Sequence, residues 1–561
     1  MNILGLNYYY HDTTASIVQD GQLLVAIEEE RLTRDKHTWS FPNRSVNKVL
    51  EVADLKPEDI DHIAVSIQPR LNMAARIRYG LAHLGSLKPF VKHELFMGRN
   101  KQSAFWSWYN GLFGGLKKKP KIHFIPHHIS HVVGSFYVSP YEKAALLGID
   151  GAGEWATSFL GYGEGNDYTE FKQSYFPNSL GSFYEAITQY CGFRPNYDEG
   201  KTMGLAPLGD ASIFYDKMAK LVSIDNNGGI HIDLSYFTYQ FQGHQRFAKK
   251  LVDTFGPARK SRDFEDHHLH VAAAAQRVLE DCILEMCNIL HQKTQAEYIV
   301  MAGGVALNSV ANGRVVRESP FKDVYVMPAA GDNGTGIGAS YYVYNKLLGK
   351  PRNFVHLNPF VGNTYSNDEI GNLVKECKLK AEYHDDICSE AAKLLHQGNI
   401  LGWFQGNMEI GPRSLGNRSI LADPTDPKMK DKINAEVKHR EAYRPFAPSC
   451  TVEAKNDFFD IDVEAPFMLK VCDVKTDCID KLPAITHVDG SARLQTVRKE
   501  INPRYHELLS KFGALSGAPV LLNTSFNIMG EPIVESPLNA IRCFFSTGLD
   551  ILVLGNYVIK K

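Results

Sequence analysis

Residues Tyr298–Ser340 read YIVMAGGVALNSVANGRVVRESPFKDVYVMPAAGDNGTGIGAS. The stretch opens with a short apolar run, turns sharply at Gly303-Gly304 and starts a helix near Asn308. A second strand, Asp323–Met327, ends at Gly331-Asp332-Asn333-Gly334, and another helix-like run follows. Where no side chain stands, backbone N–H groups can approach an anion, so this doubled strand–turn–helix pattern suits a mononucleotide or phosphate. Paired glycine turns also serve tight strand–helix packing, and the stretch alone does not separate the two uses.

Working outward, Asn2–Asn7 is an apolar strand ending at Tyr8-Tyr9-Tyr10-His11-Asp12. Ala15–Val18 and Gln22–Glu28 flank a turn at Gly21, so the opening reads as a β-hairpin sheet. The arrangement recurs at Ala144–Asp150, Gly151-Ala152-Gly153-Glu154 and Thr157–Tyr162. This is a weak internal repeat of two similar α/β halves. Actin-like (ASKHA) ATPase domains use such duplicated hairpins with phosphate-facing turns, and Gly303-Gly304 stands where the adenosine-side turn is expected. The turn-rich Lys350–Asn363 loses periodicity, which places a boundary between domains 1–350 and 351–561.

Between the halves, Lys117-Lys118-Lys119-Pro120-Lys121 reads as a solvated loop without the aromatics that single-stranded nucleic acid would call for. Pro126-His127-His128-Ile129-Ser130-His131 opens a helical segment. His127 and His131, four apart, share one helix face, a spacing that serves either a metal ion or capping and packing. Gly200-Lys201-Thr202-Met203-Gly204 reads as a glycine-bracketed turn whose lysine meets phosphate or solvent. Residues 208–265 carry few patterns and read as an insertion or lid. Helical periodicity runs from Phe264 to Gln292, with His267, His268 and His270 taken as exposed at its start.

In the second domain, the strand Ile400–Phe404 leads into Gly406–Ser419, GNMEIGPRSLGNRS. Arg413 and Arg418 in one glycine-rich loop suit an anion, since guanidinium binds phosphate or carboxylate in bidentate fashion, although a salt-bridged loop is the plainer alternative. Lys438, His439, Arg440 and Arg444 form a second basic cluster. Asn523, Thr524, Ser525 and Asn527 follow the apolar strand Val520–Leu522, and in an open α/β sheet ligands sit at such strand ends.

Composition bounds the class. The 561 residues are 44% hydrophobic and 22% charged with a net charge of −2, which gives no global attraction to nucleic acid or membrane. Nine scattered cysteines without a CxxC pair fit reduced thiols in a cytoplasm. No signal peptide is recognisable, and no apolar run approaches the ~20 residues of a membrane helix.

Together these blocks resemble the NodU/CmcH family of O-carbamoyltransferases. The matching residues are Tyr10-His11-Asp12, HHISH at 127–131, GIDGAGE at 148–154, GKTMGLAP at 200–207 and MAGGVALN at 301–308. PAAGDNGTGIGA at 328–339, GPRSLGNRSILADP at 411–424, YRPFAPS at 443–449 and NTSFN at 523–527 complete the set in family order. The resemblance implies an actin-like first domain and a YrdC-like second domain. It also implies two-stage chemistry: carbamoyl phosphate and ATP give carbamoyl-adenylate and pyrophosphate in the second domain, and an acceptor hydroxyl displaces AMP in the first.

On that reading Arg413, Arg418, Lys438, Arg444, Asn523, Ser525 and Asn527 bind carbamoyl phosphate. Asp150, Gly151, Gly153, Lys201, Gly303, Gly304, Asn308 and Gly331 hold the nucleotide, ATP with Mg2+. His127, His131 and Asp332 ligate a divalent metal, a composition that favours Fe(II) while remaining compatible with Zn or Mn. His11 matches the family's general base, and Asp12 either orients it, contacts the acceptor or caps a turn. The expected acceptor is a small hydroxylated natural product rather than nucleic acid, although the sequence identifies neither acceptor nor oligomeric state. Tyr8, Tyr9 and Tyr10 serve either an aromatic acceptor wall or the core. The alternatives are a threonylcarbamoyl-type transferase acting on tRNA and an actin-like ATP-binding module without transferase activity.

Overall fold

The computed structural model describes residues 1–82, 98–241, 243–441 and 443–561. The chain divides into two compact units, one of Met1–Glu29 with His37–His356 and the other of Glu30–Lys36 with Leu357–Lys561. The division lies after His356 rather than after residue 350 because His356 is still tied to the first unit. Its N–H donates to the Val138 carbonyl at 2.8 Å, and its own carbonyl accepts from the Tyr325 hydroxyl at 3.0 Å. Among the described residues no helix is long and apolar enough to cross a membrane.

The first unit is built on two five-stranded sheets. In the first, β1 (Asn2–Asn7), β2 (Thr14–Gln19), β3 (Gln22–Glu28), β4 (His62–Val65) and β5 (Lys121–Phe124) lie in the order β3-β2-β1-β4-β5. β1, β2 and β3 are an antiparallel meander, and β4 and β5 continue parallel to β1. The second sheet holds β6 (Lys143–Gly153), β7 (Ala156–Glu164) and β8 (Asp167–Tyr175). A separate hairpin, β9 (Val222–Ile224) with β10 (Ile230–Ile232), intervenes before β11 (Tyr298–Ala302) and β12 (Asp323–Val326). The second sheet's order is β12-β11-β6-β7-β8, again a meander followed by two parallel strands. The faint hairpin repeat in the sequence is thus a duplication of whole sheets, with one strand order and one sense. The central strands β1, β6 and β11 are apolar and buried almost throughout, as strands covered on both faces must be.

Two glycine features fix the approach of these elements. Gly303 ends β11 with φ 94°, a left-handed backbone, and a Cβ there would lie 2.3 Å from the Ile149 carbonyl oxygen. The helix Thr335–Tyr341 crosses the π-helical turn Ile129–Val133 and the helix Gly134–Tyr137 at backbone contact. A Cβ on Gly338 would stand 1.9 Å from the Ser130 carbonyl oxygen, and one on Gly134 2.2 Å from the Gly338 Cα. In the GTGIGAS run, Gly338 therefore serves packing rather than phosphate.

The long helix Asp266–Thr294 follows the expected periodicity. His268 at its start is buried instead of exposed, because its Nδ1 accepts the Glu265 N–H at 3.0 Å and its Nε2 lies 3.0 Å from the Pro257 carbonyl oxygen. Described residues between 208 and 265 form short turns, the β9–β10 hairpin and the helices Tyr215–Ala219 and Lys249–Phe255.

The second unit carries a mixed sheet of ten strands among the described residues. They are β13 (Glu382–Tyr383), β14 (Leu401–Phe404), β15 (Arg418–Ala422), β16 (Ala447–Thr451), β17 (Phe459–Asp460), β18 (Lys470–Val474), β19 (Ser491–Val497), β20 (Val520–Ser525), β21 (Ile551–Leu554) and β22 (Tyr557–Lys560). The order is β13-β22-β21-β14-β15-β20-β16-β19-β18-β17. Pairing is parallel for β14–β21 and β16–β19, and antiparallel elsewhere. The helices Ile387–His396 and Pro503–Ser516 pack together over one buried cluster that includes Trp403 and Tyr505. The α/β class expected from the sequence holds in both units. The seven residues Glu30–Lys36 complete the second unit: Arg31 donates to the Gly411 carbonyl at 2.7 Å, and Arg34 donates to those of Pro532 and Ile533 at 2.6 Å.

Candidate active site

In the first unit four side chains converge from three elements. His127 and His131 stand at the start and in the middle of the π-containing helix, Asp150 near the end of β6, and Asp332 just after β12. π turns inside helices are frequent at functional sites. The two Nε2 atoms lie 3.0 Å apart. Asp150 Oδ2 is 3.2 Å from His127 and 3.6 Å from His131; Asp332 Oδ1 is 3.4 Å and 3.2 Å from the same atoms. One ligand atom from each of the four lies within 4.8 Å of all the others.

The scaffold holds each group from behind. Asp150 Oδ1 accepts the Gly304 N–H at 3.1 Å, so the Gly303-Gly304 turn aims the other oxygen at the histidines. Glu154 accepts the backbone N–H of Gln68 and, at 2.6 Å, that of His127. Gly153 leaves room for the imidazole, since a Cβ there would lie 1.9 Å from the His127 ring. Asn7 reaches the carbonyls of His11, Asp12 and Asp332 at 3.1, 3.1 and 3.0 Å, tying the loop after β1 to the Asp332 turn.

Charge balance sets the protonation here. Burial would lower His127, but Asp332 and Asp150 outweigh it and push its pKa up to about 10. His131 moves upward for the same reason, while both carboxylates are held far below the usual range. His128, buried beside two cationic imidazoles, is driven down to about 4. Two imidazole nitrogens and two carboxylate oxygens directed at one point fit a divalent transition metal. Asp150, expected from sequence among the nucleotide residues, stands in one group with the three residues expected to ligate a metal.

His11 stands beside the cluster, its Nε2 4.0 Å from Asp332 Oδ2. Asp12 Oδ2 is 2.8 Å from His11 Nδ1, and Asp12 Oδ1 is 2.7 Å from the Nδ1 of His37, which the sequence reading missed because no local pattern joins positions 25 apart. Burial opposes protonation of His11, yet Asp332 and Asp12 raise it to about 10. The exposed Trp39 lies 5.8 Å from the His11 ring, and the Lys101 ammonium sits over both Trp39 and Tyr9. The three tyrosines separate by role: Tyr8 is core, stacked on Phe105, and Tyr10 lies edge-on to His127. Tyr9 stays near the Lys101–Trp39 side.

Of the expected nucleotide residues, Gly151 and Gly153 lie at the end of β6, and Gly303, Gly304 and Gly331 in the turns after β11 and β12. Two others are otherwise occupied. Asn308 caps the helix Ser309–Glu318 by accepting the Ala311 N–H at 3.1 Å, and its amide donates to Gln276 at 3.0 Å. Lys201 is not in a turn: it lies on the helix Glu199–Leu205, 3.1 Å from Asp198 Oδ1, the carboxylate one helical turn back.

The second unit holds a centre of opposite sign. Arg413, Arg440, Arg444 and Arg493 are mutually close, half-buried guanidinium groups. Burial and the Arg444 charge lower Arg413 to about 10; burial and Arg444 lower Arg440 to about 9. Arg493 falls well below its ordinary value through burial and the other three. The carboxylate ion-paired with this group is Glu441, 3.9 Å from Arg444. The Nε atoms of Arg413 and Arg493 are buried with no hydrogen-bond partner among the described residues.

Arg418 does not join them. It starts β15, is fully buried, stacks 3.7 Å over Phe404, and gives its terminal N–H groups to the carbonyls of Gln405, Asn417, Gly406 and Asn363 at 2.6, 3.0, 3.1 and 3.4 Å. With those donors used by backbone, it organises the loop instead of clamping a ligand. Lys438, Ser525 and Asn527 do meet, but chiefly one another: the ammonium donates to both Asn527 oxygens at 2.8 and 3.0 Å and to the Ser525 carbonyl at 2.5 Å. Asn523 is buried and donates to Ser414, Ser449 and Gln495, holding the loop that carries Arg413.

Comparison with known proteins gives a consistent result. Residues 2–341 match the carbamoyltransferase N-terminus and residues 392–561 the carbamoyltransferase C-terminus. The chain is 37% identical to nodulation protein NolNO of Sinorhizobium fredii over 99% of its own length and 80% of that protein. It is 27% identical to the 3'-hydroxymethylcephem-O-carbamoyltransferase of Amycolatopsis lactamdurans over 97% of each. Among solved structures, component A of the Acidaminococcus fermentans (R)-2-hydroxyglutaryl-CoA dehydratase aligns with a TM-score of 0.34 and 14% identity, covering 62% of this chain and 99% of that one.

Proposed function

The chain belongs to the carbamoyltransferase family, and we propose that it is an ATP-dependent O-carbamoyltransferase with separate activating and transferring centres. The observation that carries this reading is the group of four arginines met, among the described residues, by the single carboxylate of Glu441. Like charges held together without counter-ions repel, and a small dianion such as carbamoyl phosphate relieves that repulsion. Arg413 and Arg493 supply unpartnered buried N–H groups for it.

In the activating step a water oxygen bonds to the carbamoyl carbon of carbamoyl phosphate and the bond from that carbon to the phosphate oxygen breaks, giving carbamate, inorganic phosphate and a proton. A carbamate oxygen then bonds to the α-phosphorus of ATP as pyrophosphate leaves. In the transferring step the acceptor oxygen bonds to the carbamoyl carbon, the bond from that carbon to the AMP oxygen breaks with its electron pair, and the hydroxyl proton passes to Nε2 of His11 in its neutral form. The end of β6 at Gly151–Gly153 and the turn at Gly303-Gly304 take the nucleotide. His127, His131, Asp150 and Asp332 hold a divalent metal, of which Fe(II) suits the donor set. Bound there, it supplies Lewis-acid polarisation of the adenylate. Trp39, Tyr9 and Lys101 border the acceptor side of His11.

The similar cephem enzyme acts, by its name, on a hydroxymethyl group of a small molecule, which supports a small hydroxylated acceptor here. The test is ATP–pyrophosphate exchange with and without carbamoyl phosphate, followed by mass-spectrometric screening of hydroxylated metabolites for a carbamoyl gain. Exchange that ignores carbamoyl phosphate, or carbamoylation of tRNA alone, overturns the reading.

A further inference from the structure

The Asp12 carboxylate stands between two imidazoles, at 2.8 Å from His11 Nδ1 and 2.7 Å from His37 Nδ1. Asp12 and His37 have φ of 54° and 55°, left-handed backbone that side-chain-bearing residues seldom adopt. Such conformations persist where the surroundings over-determine them, and they gather at functional sites. The outer face of His37 is also fixed: the Tyr197 ring lies edge-on at 4.4 Å, and the Arg194 guanidinium stacks on Tyr197 at 3.6 Å.

The carboxylate torsion of an aspartate is broad and soft. With Oδ1 bound to His37, rotation of Asp12 breaks a hydrogen bond, so Oδ2 stays in line with His11 Nδ1. In the neutral ring that oxygen keeps the proton on Nδ1, which leaves Nε2, on the Asp332 side, as the acceptor. We infer that His37 is a positioning residue for carbamoyl transfer, clamping Asp12 so that His11 keeps the tautomer and orientation that receive the acceptor's proton. This rests on the transfer reading above. His37 touches no reacting atom; the proton still moves from the acceptor oxygen to His11 Nε2 while AMP leaves.

The test uses the full chain with glycerol, glucose and a 3'-hydroxymethylcephem as acceptors. His37→Ala lowers kcat for carbamoyl product by ~10–100-fold, the usual cost of losing an outer hydrogen-bond partner. The KM for acceptor stays within about twofold, and carbamoyl-phosphate-dependent pyrophosphate exchange is unchanged. His37→Asn, whose amide N–H can take the Nδ1 position, recovers most of kcat, whereas His37→Gln, which is longer, does not. Should His37→Ala fail to fold, the Asn and Gln variants carry the comparison. Unchanged kcat in the Ala or Gln variant, equal loss of exchange, or no recovery by Asn overturns the inference. A wild-type protein that carbamoylates none of the acceptors and shows no exchange overturns the function itself.

Discussion

The two charged centres are built on opposite principles. At the cluster His127 and His131 each face two carboxylates, so charge is nearly balanced and both imidazole pKa values rise, that of His127 to about 10. Around Arg493 the charges are alike and mostly uncompensated, and the pKa values of Arg413, Arg440 and Arg493 fall, to about 9 at Arg440. A balanced site accepts a cation by exchanging it for protons. An unbalanced one gains directly from any anion that enters. The same physical quantity, displaced in opposite directions, thus distinguishes the proposed metal pocket from the proposed anion pocket.

That contrast can be broken experimentally. The largest effect is expected from His127→Ala/His131→Ala, which removes both nitrogen ligands: metal content falls to background while pyrophosphate exchange survives. Metal analysis of folded protein decides it, and unchanged content removes these residues from the site. Next is Arg418→Ala, which strands four backbone carbonyls and deletes a stacked guanidinium. Each buried acceptor left unsatisfied costs about 1–3 kcal/mol, so the variant should unfold at markedly lower denaturant. If stability holds while exchange alone is lost, Arg418 is a ligand after all.

Arg493→Ala should act conversely, slowing carbamoyl-phosphate-dependent exchange by roughly 10–100-fold with little change in melting, as expected for one charge-assisted contact of about 1.5–3 kcal/mol. A variant with normal exchange kinetics would remove the cluster from the carbamoyl phosphate site. The metal pocket also predicts a pH effect. Ligation needs unprotonated imidazole, and His127 stays protonated up to about 10 in the metal-free protein. Affinity should therefore rise between pH 6 and 9, by up to about tenfold per unit for each proton released. Calorimetric titration in buffers of different ionisation enthalpy reads those protons directly, and a pH-independent affinity contradicts the balance described here. The smallest change is expected for Arg444→Lys. Arg444 is partly exposed and already near Glu441, so a few-fold rise in KM for carbamoyl phosphate is the expected result.

What could be read from sequence follows from distance along the chain. The strand–turn–helix units around Gly303 and Gly331 were legible because each is local, and so was the pairing of His127 with His131. The sheet duplication showed only as two hairpins, because β4, β5, β11 and β12 join their sheets from far away. Arg493 carried no signal: it lies on β19 among ordinary strand residues, and only the fold brings it near Arg413. Arg418 misled for the reverse reason. An arginine in a glycine-rich run resembles an anion clamp until a strand begins at that position and turns it inward. Gly338 was likewise open to two readings, which backbone proximity separates and composition does not.

Arg31 pins the Gly411 carbonyl across a separation of 380 residues, within a unit that otherwise begins at Leu357. Consequently, no single cut in the gene yields two complete proteins. A product starting at Leu357 lacks Arg31 and Arg34, and its arginine loop loses an anchor supplied almost at the start of translation. Fission, domain exchange or circular permutation of this enzyme would have to carry the heptapeptide Glu30–Lys36 along with the C-terminal half.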